Sequence, residues 1–312
     1  MLTSKTVMAD GERLAGVPVA ISHQRSAMRG NVRKSAVAGA WYPAVAASLA
    51  AAVDRHLTAA DQGGADVRGD LVALIAPHAG LMYSGPVAAH AYRLLRDRAF
   101  DVVVLVGPSH FAGFDGVSLY PSGGFDTPFG VAPIDADCAR AIAGATPVVH
   151  ERRDVHAREH SLEMQLPFLA HLAPAVPIVP LLMGYQTADT AAALGDALAI
   201  ALRGRRALLV ASTDLSHYHD ATTAAALDRI VIDCVARFDA DGLQAALEAK
   251  PEHACGGGPM VSVMRAALAA GAGDAVILDY ADSGDVSGDK SSVVGYLAAA
   301  FGTFNREDRR ER

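Results

Sequence analysis

A chain of 312 residues, 51% of them hydrophobic, is long enough to bury one large α/β core or two smaller ones. Its net charge of −7, from 27 basic and 34 acidic residues, comes without any basic stretch interleaved with aromatics, which argues against a nucleic-acid partner. Three cysteines, Cys138, Cys234 and Cys255, are too sparse for a disulfide framework and fit a reducing, cytoplasmic compartment.

Residues 1–31 hold one short apolar run, Leu14–Ile21, with Glu12 and Arg13 before it and no signal-peptide cleavage pattern after it. They read as a disordered leader. Pro43 then opens a helical pattern over Ala44–Leu57. A strand at Leu71–Ala76, a helix at Gly85–Arg96 and a strand at Val102–Val106 follow, with a short strand at Gly116–Tyr120 and a helix at Asp137–Ala145. Next come a helix at His160–Leu172, a strand at Ile178–Met183, a helix at Thr190–Leu202 and a strand at Ala207–Ser212. Helical patterns cover Thr223–Phe238, Asp241–Glu248 and Pro259–Ala270, and closing strands are expected at Ala275–Tyr280 and Ser292–Phe301. Two stretches without Asp, Glu, Lys or Arg, 71–92 and 164–188, are long enough to span a bilayer. Their prolines and glycines make them strand–loop–helix and helix–loop–strand passages instead, so no membrane span is expected. The alternation predicts a single α/β domain over residues 32–302, with a mostly parallel central sheet covered by helices on both faces. The last two strands are expected to pair antiparallel, and residues 303–312 to form a charged, solvated tail.

Chemistry concentrates at strand ends. Pro77 and Pro108 stop two apolar strands, and His78 and His110 follow at once. In an open α/β sheet the crevice beyond the carboxyl ends of the strands is where ligands bind, and imidazole is the commonest metal ligand. A third strand end leads into Ser212-Thr213-Asp214-Leu215-Ser216-His217. One helical turn would put Asp214 and His217 on one face, where the carboxylate would raise the basicity of the imidazole; alternatively Asp214 or Ser216 caps the next helix. His160 and Glu163 show the same spacing, with Ser161 as an alternative helix cap and Glu163 as a first-turn carboxylate. Cys255 stands before three glycines and a helix start, which would lower its thiol pKa; a small buried residue in a tight turn is the plainer reading. Neither a Gly-x-Ser-x-Gly elbow nor a His-Glu-x-x-His zinc motif is present.

From Val32 to Phe301 the chain resembles the Memo family, protein B of the AmmeMemoRadiSam system. The landmarks are Ala38-Gly39-Ala40-Trp41-Tyr42-Pro43, Ala76-Pro77-His78-Ala79-Gly80, Gly107-Pro108-Ser109-His110, Glu159-His160-Ser161-Leu162-Glu163-Met164-Gln165-Leu166-Pro167, Ser212-Thr213-Asp214-Leu215-Ser216-His217 and Ala254-Cys255-Gly256. The resemblance implies a fold similar to the LigB-type class III extradiol dioxygenases, which hold non-haem iron through two histidines and a carboxylate. Carried over, it makes His78 and His110 metal ligands, puts Cys255 at the carboxylate position and makes His217 the acid/base histidine, with Asp214 beside it. Iron or copper is the implied metal. Thiolate in place of carboxylate favours softer ions. Ser216 stands where some relatives carry cysteine, and Tyr218 where an indole can stand.

Three functions are then open. The first is a metal-binding protein with a redox or modification-pathway role, with radical-SAM and AMMECR-domain proteins as partners. The second is an active ring-cleaving dioxygenase on a catechol-like substrate. The third is a non-catalytic module that uses the pocket for a peptide, small molecule or partner protein.

Overall fold

The structure, a computed structural model, describes residues 31–305. Twelve strands are present among them: β1 (Val32–Arg33), β2 (Gly69–Ala76), β3 (Val102–Pro108), β4 (Val117–Leu119), β5 (Gly124–Thr127), β6 (Gly130–Pro133), β7 (Val149–Glu151), β8 (Ile178–Met183), β9 (Ala207–Ser212), β10 (His217–His219), β11 (Asp274–Asp282) and β12 (Val293–Phe304). The leader falls outside the described residues, as does the tail beyond Asn305; β12 continues through Phe304.

β3 explains the centre of the molecule. Every residue of Val-Val-Val-Leu-Val-Gly-Pro is buried, which is what a strand covered on both faces requires. Val103 and Leu105 pack into one core with the helices Ala46–Gly63, Leu81–Tyr92 and Leu166–Leu172. Val102, Val104 and Val106 point the other way. They join a second core with the helices Ala136–Ala145, Ala188–Ala201, Ala221–Ala236, Ala240–Ala249 and Gly257–Ala269. The result is a three-layer α/β unit.

β2, β9, β3 and β8 lie side by side and parallel, with β9 between β2 and β3. Antiparallel strands extend this centre. β4 pairs with β8, while β12 pairs with β2 on one edge and β11 on the other. β10 takes the same edge of β12 beyond the end of β2. A small separate sheet of β1, β5 and β6 escaped the sequence reading, as did β7 and β10, because strands of two to four residues carry too little alternation to be seen. No helix among the described residues is long and apolar enough to cross a membrane.

Two expected helical turns are absent, because the residues that would form them are tied to other parts of the fold. The helix expected at His160–Leu172 is regular only over Leu166–Leu172, after a short 3₁₀ turn at Glu163–Gln165. The Glu159 carboxylate takes the N–H groups of His160 and Ser161, and the Ser161 hydroxyl donates to Pro108 O rather than capping a helix. His160 and Glu163 therefore share no helical face. Likewise 213–216 is not helical, because Thr213 N donates to Ala76 O and Leu215 N to Gly295 O. The following helix, Ala221–Ala236, is capped by Asp220 rather than by Asp214 or Ser216.

Candidate metal centre

Because β9 lies between β2 and β3, the ends of β2 and β3 flank it, and each carries its histidine. His78 is almost wholly buried and His110 stands at the rim. Their rings meet edge to face with centroids 5.2 Å apart. Cys255 arrives from the far end of the chain, with its Sγ 3.2 Å from His78 Nε2. Gly256 permits this approach: a Cβ there would lie 2.5 Å from Ser212 O.

The hydrogen bonds determine which ring atoms face one another. Ser161 O can only accept, so the Ser212 hydroxyl must donate to it, at 2.6 Å. Gln165 Nε2 donates to Ser212 Oγ at 2.7 Å and is itself oriented by Pro77 O and the Tyr92 hydroxyl. His78 Nδ1, 2.9 Å from the same oxygen, is therefore the protonated nitrogen, and Nε2 turns its lone pair towards Cys255. His110 is held the same way. Its Nδ1 donates to Glu159 Oε1 at 2.9 Å and its backbone N to Oε2 at 2.6 Å. One donor atom each from His78, His110 and Cys255 lies within 4.8 Å of the others. Ligands of a four-coordinate ion at ~2.0–2.3 Å sit about 3.5 Å apart, so small side-chain movements close this set around a metal. A hydrogen-bond acceptor behind each imidazole is the support that metal-binding histidines need.

Burial, with the His110 and His160 charges adding to it, pushes the His78 pKa well down, so its imidazole is neutral as a ligand must be. Burial, then the Asp214 charge, pushes the Cys255 thiol up. This reverses the expectation from the helix start at Gly257: Sγ is enclosed beside a carboxylate, and desolvation outweighs the dipole. A bound cation would have to displace the thiol proton. Burial also raises the Asp214 carboxyl to about 7, against the pull of N–H bonds from His78 and Ala79.

Not every predicted residue arrives where it was expected. Asp214 belongs to His78: Oδ1 accepts from the backbone of His78 at 2.8 Å and of Ala79 at 3.3 Å, and Oδ2 is 3.9 Å from His78 Nε2. It makes no hydrogen bond to His217. His217, at the start of β10, feels His110 and Asp228 electrostatically, and burial lowers its pKa. His160 stacks on His110 with centroids 4.4 Å apart and lies against Trp41, also at 4.4 Å. Burial lowers it to about 4. Glu163 lies outside the pocket. Its carboxylate is consumed by Arg33, the backbone of Ala36 and Val37, and the Tyr42 hydroxyl.

Glu159, Ser212 and Gln165 are the residues that sequence reasoning missed. Gln165 left one faint trace, a polar side chain inside the otherwise apolar run Met164–Leu166. Burial alone would raise the Glu159 carboxyl. The hydrogen bond and charge of His110 and the backbone N–H groups outweigh it and hold the carboxyl at about 2. A depressed carboxyl contributes stability that is full above the ordinary carboxylate range and is lost as pH falls through that range towards the folded value. In metal-free protein, the stability advantage of wild type over Glu159→Gln should therefore shrink between about pH 5 and about pH 2.5, read from urea midpoints. An advantage independent of pH would show that Glu159 is not held ionised.

The profile of the family described as Memo-like protein matches residues 33–300. A MEMO1 family protein of Methanothermobacter thermautotrophicus is 38% identical over 272 residues, covering 85% of this chain and 98% of its own length. MEMO1 family proteins of Nitrosopumilus maritimus and Methanosarcina acetivorans are 33% and 37% identical, each over 86% of this chain and 99% and 98% of their own lengths. The crystal structure of an uncharacterized Escherichia coli K12 protein aligns with a TM-score of 0.49 at 18% identity, covering 73% of this chain and 99% of that one.

Proposed function

The chain belongs to the Memo-like protein family, and on that premise we propose that it binds one transition-metal ion, iron or copper, through His78, His110 and Cys255. The observation that carries this reading is the convergence of two oriented imidazoles and a half-buried cysteine within 4.8 Å. A cysteine enclosed beside two imidazoles is a soft donor set, which suits a redox-active ion better than magnesium or calcium. When bound, such an ion supplies Lewis acidity and a one-electron redox change.

The surrounding residues have separate tasks. Ser212 and Glu159 keep the protons of His78 and His110 on Nδ1. His217 and His160 are two further imidazoles beside the donors and are the groups able to hold or move a proton there. Trp41 and the exposed Phe111 cover His160 and restrict water on that side. In this reading the pocket is dioxygenase-like, with a thiol in place of a carboxylate.

Elemental analysis of untagged protein tests the proposal. Wild type should carry close to one equivalent of metal. His78→Ala/His110→Ala and Cys255→Ala, each checked for folding by circular dichroism, should lose at least about tenfold of it. Folded variants that keep wild-type metal content overturn the ligand assignment.

A further inference from the structure

Asp228 is a buried carboxylate that the metal site does not use. It lies on the helix Ala221–Ala236 with no exposure to solvent, and it accepts hydrogen bonds from Ser216 N at 2.9 Å and the Tyr280 hydroxyl at 2.8 Å. No Lys, Arg or His side chain forms an ion pair with it among the described residues. Such a group is costly to keep. The chain also makes room for it: at Gly295 of β12 a Cβ would lie 2.0 Å from Asp228 Oδ2.

The two donors show what the carboxylate ties together. Ser216 immediately precedes His217, while Tyr280 lies on β11. Gly295 grips the same loop from the other side: Leu215 N donates to Gly295 O at 2.8 Å, and Gly295 N donates to Ser216 O at 3.0 Å. The loop needs that grip. The pairing of β10 with β12 shifts register between His217 and His219. Tyr218, inside the shift, has a positive φ of 63° while its side chain is largely exposed, so it gains little packing to offset the conformation. A bulge of this kind re-aims the side chains beside it, and here it sets the aim of His217, which lies near enough to His110 and His78 for their charges to be felt.

We propose that Asp228 is a positioning residue: by holding Ser216 N against the helix Ala221–Ala236 it fixes the bulged loop and keeps the His217 ring on the wall of the metal pocket. The proposal rests on the reading of His217 as a working group of that pocket. Its test does not depend on metal binding. A role limited to docking the helix on the sheet would leave the ring of His217 where it is.

The experiment uses full-length protein labelled with 15N-histidine and stripped of metal with EDTA. The His217 ring signals are assigned by their loss in His217→Gln. Asp228→Ala should shift those signals, and Asp228→Asn, which keeps an acceptor for Ser216 N, should return them towards wild type. Tyr280→Phe, a milder change at the other partner, should move them the same way by less. Val231→Ala, a core truncation on the same helix, should lower thermal stability yet leave the His217 ring unmoved. If Asp228→Ala does not fold, Tyr280→Phe and Asp228→Asn still decide the matter: unmoved signals in Tyr280→Phe, or a displacement in Asp228→Asn as large as any other, overturn the proposal. So does a His217 shift in Val231→Ala equal to that in the Asp228 variants. Separate failure of the metal assignment would leave the ring displacement in place.

Discussion

Glu163→Ala is expected to lower folding stability by about 3–5 kcal/mol, the usual cost of removing one member of a buried ion pair. Arg33 and Glu163 are both almost fully buried, and the carboxylate also accepts from Ala36 N at 2.7 Å, Val37 N at 3.1 Å and the Tyr42 hydroxyl at 2.7 Å. Truncation strands the Arg33 guanidinium and releases residues 33–42, which carry Trp41 over His160. Urea denaturation at constant m-value measures the loss. Arg33→Met with Glu163→Leu should cost less than the sum of the two single truncations, because no charge is left buried, but it still strands the donors of Ala36, Val37 and Tyr42 and so does not restore wild-type stability. A loss below about 1 kcal/mol for Glu163→Ala would mean that the pair is as weak as a solvent-exposed one.

Glu159→Ala should weaken metal binding by 10–100-fold and also cost about 3 kcal/mol of stability. One carboxylate here accepts from His110 N, His110 Nδ1, His160 N and Ser161 N, at 2.6, 2.9, 2.7 and 2.9 Å. Its removal frees the His110 ring to rotate and change tautomer, and leaves buried N–H groups without acceptors. Glu159→Gln should recover only part of the loss, since its amide turns a donor towards other donors. Competition against a chromophoric chelator at fixed pH gives the affinity. Wild-type affinity in a folded Glu159→Ala protein would show that His110 is oriented by something other than this carboxylate.

The contrast between these two glutamates marks how far the site was legible in the sequence. Glu163, three residues after His160, has the spacing of a helical pair and yet serves the packing of residues 33–42. Glu159 has no distinctive spacing and supports both His110 and the turn that follows it. A spacing rule presumes regular backbone, and at 159–162 the chain is held instead by the Glu159 carboxylate and by the Ser161 hydroxyl bonded to Pro108 O. The same presumption paired Asp214 with His217, whereas the loop geometry gives Asp214 to His78 and leaves Asp228 to hold the residue before His217.

Local patterns along the chain were enough to read the alternation of buried strands and helices, the α/β class with helices on both faces, and the emergence of histidines at the ends of β2 and β3. These follow from local rules: apolar runs that must be covered on both faces, and prolines that stop strands. Three-dimensional packing set which acids support the candidate metal-binding histidines, which nitrogen of His78 faces Cys255, and why that thiol is driven up rather than down. Those properties depend on desolvation and on hydrogen bonds between residues as much as 177 positions apart, such as Cys255 and His78, and no local pattern encodes them.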